Sequence, residues 1–305
     1  MAIPGPARDL VGYGRNRPTG EWPGGARLAV NVVINYEEGS ERSLAAGDPD
    51  QETSTEWGSY PFGEERNLAM ETMYEYGSRV GIWRILEQLD RFDADATFFA
   101  CAVAVEANPE LAAAIAQSRH DVVCHGYRWE EVFRLSEAEE REHMRMAVSS
   151  LTTSLGRRPL GWYCRYGPSV HTRRLVVEEG GFLFDCDAYN DDVPYYVTVG
   201  DRRHLVVPYS PDTNDFRFWQ QSGPATGGQF FEYLRDAFDF LYQESRDHLK
   251  LMSVGLHPRI IGRPGRIVSL TRFLDYVQGK KEAAILTRTE LAQWWLQHHP
   301  AEDGP

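Results

Sequence analysis

Five apolar segments of strand length each run directly into a cluster of carboxylate, imidazole or guanidinium side chains. Residues 28–35 lead into Asn35-Tyr36-Glu37-Glu38-Gly39, and residues 121–124 into His125-Gly126-Tyr127-Arg128-Trp129. Trp162-Tyr163 leads into Cys164-Arg165-Tyr166-Gly167-Pro168, and Phe184 into Asp185, Asp187, Asn190, Asp191 and Asp192. Leu256 is followed by His257, then by Arg259, Arg263 and Arg266. Each cluster alone suits a solvated turn or a hydrogen-bonded structural residue. Their coincidence at five strand ends does not, because in a parallel barrel those ends converge on one rim that carries the catalytic groups. Such a rim is equipped for acid–base chemistry. Two adjacent carboxylates, Glu37 and Glu38, can split their pKa values and leave one as a base near neutral pH. A guanidinium or backbone N–H groups can hold an oxyanion.

The elements that must position these groups follow from periodicity and punctuation. Residues 28–35, 96–101, 121–124, 160–164, 182–186, 205–209, 251–256 and 283–287 read as strands. Residues 80–92, 109–118, 136–155, 172–179, 229–244, 268–277 and 290–297 read as helices. Ser136 with Glu139 three residues on is a capping-box signature, and Gly180-Gly181 is a helix stop. Residues 40–70 are polar and read as one long loop, a length that usually marks a functional or interface element. Strands alternate with helices about every 25–35 residues, which argues for a parallel α/β fold, and seven or eight such units suggest a barrel. The expected organisation is an N-terminal arm over residues 1–25, one barrel domain over 26–299 and a short tail over 300–305.

Composition narrows the partners. Against 45 Asp+Glu stand 32 Lys+Arg, a net charge of −13. The basic pairs Arg157-Arg158, Arg173-Arg174 and Lys280-Lys281 are isolated, so no polyanion-binding face is expected and no nucleic-acid partner. No run of about 18 apolar residues is present to span a membrane, and no secretory signal is visible at the start. The four cysteines form no C-x-x-C pair, as expected of a reduced, cytoplasmic protein. The long 40–70 loop and an acidic, aromatic-rich surface point to a homo-oligomer.

In their order along the chain, the clusters resemble the five motifs of the polysaccharide deacetylase superfamily, also called the NodB-homology or carbohydrate esterase family 4 fold. Its first motif, Thr-Phe-Asp-Asp-Gly, is matched by Asn35-Tyr36-Glu37-Glu38-Gly39. Its second, His-Ser/Thr-x-x-His, is matched in part by His125-Gly126-Tyr127-Arg128-Trp129. The third, Arg-x-Pro-Tyr, falls on Cys164-Arg165-Tyr166-Gly167-Pro168, and the fourth, a strand-end Asp segment, on Asp185-Cys186-Asp187. The fifth, Leu-His, falls on Leu256-His257. The resemblance runs from about residue 10 to 299 and implies a distorted (β/α) barrel. In that family the second acid of the first motif and both histidines of the second hold a divalent metal. Here those positions are Glu38, His125 and Trp129. An indole coordinates nothing, and a catalytic zinc site keeps three protein ligands plus water. No catalytic metal and no other cofactor are therefore expected; Glu38 and His125 are the ligands should a metal be held.

That departure resembles one branch, the allantoinase analogues of this superfamily, metal-independent ring hydrolases of urate breakdown, and more loosely the cyclic imide hydrolases. Further segments carry the likeness: Gly12-Tyr13-Gly14, Glu65-Arg66-Asn67, Tyr74-Glu75-Tyr76-Gly77-Ser78-Arg79, Glu178-Glu179-Gly180-Gly181-Phe182, Asp212-Thr213-Asn214-Asp215 and Gly262-Arg263-Pro264. The segment from Cys164 to His171 departs from the Thr-Gly-Arg-rich loop of allantoinases. The branch implies a hydrolase that opens a small cyclic amide or ureide, such as allantoin, or a cyclic imide. Glu37 would be the base, its pKa raised by burial or by Glu38, and His257 the acid that protonates the leaving nitrogen. Arg165 is the first candidate to hold the oxyanion and Arg259 the second. His125 would position water or the carbonyl, Trp129 would wall the ring, and Asn35, Tyr163 and Asp187 would contact substrate. The alternative is a metal-dependent N-deacetylase of chitooligosaccharide or peptidoglycan. A non-catalytic scaffold on the same fold is a third reading, against which the retained Glu37, Glu38 and His257 count.

Overall fold

The computed structural model describes residues 5–59 and 62–301. Residues 1–4 of the expected arm, residues 60–61 of the long loop and residues 302–305 of the expected tail lie outside the described residues. The sheet is built around β1 (Leu28–Tyr36), a Val/Ile-rich strand buried along its whole length. Burial on both faces is what a near-continuous apolar run in a parallel sheet requires. On one edge β1 pairs in parallel with β2 (Thr97–Ala100) through residues 33–36 and with β9 (Ala283–Ile285) through residues 28–30. On the other it pairs with β8 (Lys250–Leu256). From β2 the parallel sheet continues through β3 (Asp121–Cys124), β4 (Gly161–Trp162) and β5 (Phe184–Asp185) to β7 (Arg202–Val206). The end strand β6 (Tyr195–Val199) is antiparallel to β7. Its half-exposed residues leave no apolar alternation to mark it in the sequence.

The sheet curls into a distorted barrel whose gap, beside β8, is filled by irregular chain. Leu251 and Gly255 of β8 donate their N–H groups to the carbonyls of Asp192 and Thr213. Inside the curl, Val33, Phe99, Val123, Phe184, Val207 and Tyr209 form one apolar cluster. Outside, a larger cluster packs the sheet against its helices. These are α1 (Leu68–Tyr76), α2 (Ile82–Arg91), α3 (Ala102–Ala107), α4 (Pro109–Gln117), α5 (Glu137–Leu155), α6 (Thr172–Glu179), α7 (Gly227–Glu244), α8 (Pro258–Ile261) and α9 (Pro264–Gln278), while α10 (Arg288–His298) packs through Leu291, Ala292 and Trp295 on the inner cluster. Ser136 and Glu139 form the capping box of α5, and Gly180 ends α6 in the left-handed region. The N-terminal segment is tied down: Trp22 donates from Nε1 to the Lys250 carbonyl and packs against Trp294 and Trp295.

The helix expected at 80–92 is longer than its periodicity suggests. It begins at Leu68 and passes through a π-turn, Gly77–Gly81, before continuing as α2. A bulge of this kind displaces the face of a helix and is frequent at functional sites. Here it lets the backbone approach α8: a Cβ at Gly81 would overlap the Pro258 carbonyl, and one at Gly77 would overlap the Glu38 carboxylate. Gly81→Ala is therefore expected to lower the unfolding free energy by about 1–3 kcal/mol, as overpacking of a tight contact does. Chemical denaturation measures it, and an unchanged midpoint would remove this contact from the account.

Candidate active site

Strand alternation sets which side chains meet. Successive residues of a strand point to opposite faces, so Val33, Asn35 and then Glu37 face the interior from β1. Gly255 and His257 do so from β8, and His125 from β3. Gly39, at φ +91°, turns the chain after β1, a conformation costly for any residue with a Cβ. Glu37, Glu38, His125, His257 and Arg259 all come together and are at most 3% exposed.

Glu37 is the hub. Its Oε1 lies 3.2 Å from His125 Nε2 and 3.6 Å from His257 Nε2, and its Oε2 accepts a 2.7 Å hydrogen bond from Arg259. His125 Nδ1 lies 3.1 Å from the Tyr163 carbonyl. A carbonyl only accepts, so Nδ1 carries a proton and the Nε2–Oε1 contact must hold another between imidazole and carboxylate. His257 Nδ1 lies 2.6 Å from Asp215 Oδ1, while Asp215 Oδ2 accepts from the backbone N–H groups of His257 and Ile261. Asp215 thereby fixes the ring and turns Nε2 toward Glu37.

Arg259 joins the two carboxylates. Its NH2 group reaches Glu37, and both its NH1 group and its backbone N–H reach Glu38 Oε1, at 3.4 and 3.1 Å. Around the guanidinium stand Tyr74, Trp129 and Trp219, with ring centroids 4.5, 5.0 and 5.6 Å away, a cation–π enclosure. The pair of glutamates is split, but opposite to the sequence expectation. Burial alone would raise Glu37; Arg259, His257 and His125 together hold its carboxyl down at about 2. Glu38 is raised, chiefly by burial and also by the charge on Glu37.

The remaining expected residues sit around this centre. Asn35 donates to the Tyr209 hydroxyl at 3.1 Å and to the Leu256 carbonyl at 3.3 Å. Tyr163 stacks on His125 with centroids 5.0 Å apart, and its hydroxyl meets that of Tyr189 at 2.9 Å. Trp129 is buried, with the Arg165 guanidinium 3.6 Å over its ring. Arg165 does not reach Glu37: it pairs with Glu52 at 2.5 Å and donates to the Trp129 carbonyl. Of the two arginines considered for an oxyanion, Arg259 is the one brought to the carboxylates. Asp187 also stands apart, accepting from Cys164 N and Sγ. All four cysteines are free and buried, and burial pushes their thiols up.

Several contributors carried no strand-end signal. Asp215 and Asn214 lie in the Asp212–Asp215 segment, where only the family resemblance marks them. Glu52 and Tyr74 belong to the region read as loop and to the helix that follows it. The donor set does not suit the divalent metal that the family pattern implies. Trp129 offers no lone pair, the Glu38 Oε1 is taken by Arg259, and a dication would meet that guanidinium at close range. Among the described residues no group of three or more His, Cys, Asp or Glu side chains is arranged to hold a metal ion. Nor is any helix long and apolar enough to cross a membrane.

The family model for polysaccharide deacetylase matches residues 63–184. A Schizosaccharomyces pombe protein described as a polysaccharide deacetylase is 36% identical, over 96% of this chain and 98% of its own length. A crystal structure from Pseudomonas aeruginosa, likewise described as a polysaccharide deacetylase, superposes with a TM-score of 0.92 at 46% identity, covering 96% of this chain and 99% of that one. The crystal structure of PuuE allantoinase has a TM-score of 0.92 at 47% identity, covering 96% and 98%.

One buried carboxyl at the edge of the site makes stability depend on pH. Glu41 accepts from Gly39 N at 2.6 Å, and burial, with a contribution from Glu38, pushes its carboxyl up to about 7. The folded chain thus keeps a proton that the unfolded chain loses near pH 4.5. The Glu41 contribution is fully present below pH 4.5 and declines as pH rises to about 7. At about 1.4 kcal/mol per unit, Glu41→Gln should gain on the parent by on the order of 3 kcal/mol between those limits and no further above them. Urea denaturation at pH 5, 6, 7 and 8 reads this directly, and a constant gap would contradict it.

Proposed function

We propose that this chain, which belongs to the polysaccharide deacetylase family, is a hydrolase that opens a small cyclic amide or ureide of the allantoin type without a catalytic metal. The observation that carries the reading is Arg259, a buried guanidinium seated against both carboxylates of the first motif. It supplies fixed positive charge where the family pattern would call for an ion. The high identity to PuuE allantoinase across nearly the whole chain supports the same reading.

Water attacks a ring carbonyl, and Glu37 takes its proton. Glu37 is a weak base while Arg259 holds it. When a substrate oxygen takes over the Arg259 hydrogen bond, the charge that depressed the carboxyl moves to the developing oxyanion and the carboxyl becomes more basic. His257 Nε2 is close enough to Glu37 Oε1 to pass a proton on to the leaving ring nitrogen. The carbon–nitrogen bond then breaks to give a carboxylate and a free N–H group. His125 holds Oε1 from the other side and keeps Glu37 aimed. The reading extends to a homo-oligomeric enzyme of purine breakdown in the cytoplasm, with the unpaired cysteines as support for a reducing compartment.

Purified enzyme assayed on allantoin, hydantoin, succinimide, dihydrouracil and N-acetylglucosamine oligomers, each with and without chelator, tests this. Ring opening that survives the chelator is expected; deacetylation abolished by it would overturn the reading. Glu37→Gln should cost on the order of 10²–10⁴ in kcat. Asp215→Asn should cost a comparable factor with the fold intact, because the amide stabilises the wrong imidazole tautomer. A loss below tenfold in either variant would remove that residue from the mechanism.

A further inference from the structure

Beneath Glu37 and His257 lies a second layer of inward-facing positions, two residues back along each strand: Asn35 on β1 and Gly255 on β8. The Tyr209 hydroxyl occupies the place that a side chain at Gly255 would take, since a Cβ there would overlap it. Tyr209 is 4% exposed. Its ring is held by Phe99 and Tyr163, each with centroids 5.2 Å away, and by the Arg288 guanidinium at 5.3 Å.

Two amides donate to this one oxygen, Asn35 Nδ2 at 3.1 Å and Asn214 Nδ2 at 3.0 Å. Neither amide can be turned around. Asn35 Nδ2 also faces the Leu256 carbonyl, which only accepts. Asn214 Oδ1 accepts from Phe216 N, which only donates. The phenol oxygen therefore receives two hydrogen bonds, and its own proton has no acceptor among the described residues. An unmatched donor in a buried site costs as much as a lost hydrogen bond, and such donors mark places where a ligand completes the pairing. Burial also keeps this phenol protonated, raising it well above its usual value.

Resting on the reading of the site as an amide hydrolase, we propose that Tyr209 contacts substrate: its O–H donates to a carbonyl oxygen of the amide from the floor of the site. Arg259 and Tyr209 then grip the substrate from different directions, one by charge and one by a neutral donor. No proton is transferred from the phenol.

The test compares Tyr209→Phe with the parent on hydantoin and on its two monothio isomers, in which sulfur, a poor acceptor, replaces one carbonyl oxygen. A loss of about 10–100-fold in kcat/KM is expected on hydantoin. The parent's preference for oxygen over sulfur should shrink about tenfold in the variant for one of the isomers, as a cycle across the contact requires. A purely structural role would lower all three substrates alike and leave the preference intact, and that result overturns the proposal. Asn214→Asp is the second variant, since its carboxylate captures the phenol proton while keeping the ring. It should show the same collapse, and an unchanged preference there counts equally against the proposal. If the parent instead hydrolyses only N-acetyl sugars, the ring-opening reading falls alone, and the same comparison is made with N-acetyl against N-thioacetyl substrates. If it hydrolyses no cyclic amide of that panel and no N-acetyl sugar, both fall.

Discussion

The structure depends on one buried cation. Arg259 is 1% exposed and sits between two glutamates, and removing a guanidinium from water is repaid only when its hydrogen bonds are met with good geometry. Its NH1 and NH2 groups find carboxylate partners, while its Nε has none among the described residues. His257 caps the short helix α8, so Arg259 falls in its first turn with both side chain and backbone N–H aimed at Glu38. The π-turn brings Gly77 against the Glu38 carboxylate and Gly81 against Pro258. Trp129, Tyr74 and Trp219 present ring faces to the charge. A guanidinium needs planar partners in fixed directions.

How much of this was legible in the sequence follows from how local each signal is. Glu37, His125 and His257 each follow an apolar run, and strand alternation sends all three to one face. Arg259 was visible as one of two arginines, but the choice between it and Arg165 was not. That choice rests on Glu52, a residue in an irregular stretch some hundred positions from Arg165, which takes Arg165 into its own ion pair. The order of the split glutamates is not legible either. Adjacency predicts that two carboxylates differ, but which one drops depends on which faces Arg259 and the imidazoles. Asp215 was hidden because it lies on chain that fills the barrel gap, where no periodicity applies, and Tyr209 because, at the end of the expected 205–209 strand, its ring reads as one more core side chain. The barrel itself was readable from strand and helix spacing. The hairpin strand β6 and the helix beginning at Leu68 were not, since their apolar faces are short or interrupted.

The layering of the interior links fold to chemistry. The lower layers hold apolar side chains with Asn31 and Arg288 among them, the middle layer holds Asn35, Tyr163 and Tyr209, and the top holds Glu37, His125 and His257. Polarity thus rises toward the carboxyl ends of the strands. The middle layer is what fixes the top one: the Tyr163 carbonyl orients His125, and the Asn35 amide ties β1 to β8 directly below the two catalytic candidates. Rigidity at this level is needed because Glu37 meets both imidazoles through a single oxygen.

That single oxygen constrains how the site can cycle. Both histidines spend Nδ1 on fixed acceptors, the Tyr163 carbonyl and Asp215, so both Nε2 atoms compete for Glu37 Oε1. His125 is nearer, at 3.2 Å against 3.6 Å, and takes the hydrogen bond. Among the described residues His257 Nε2 then has no hydrogen bond, which is the state a proton carrier requires before it meets a leaving nitrogen. The short Asp215 contact supports the imidazolium when that proton arrives. The two imidazoles therefore differ in role because of what lies behind them: a carbonyl behind the one that holds the carboxylate, and a carboxylate behind the one placed to pass a proton on.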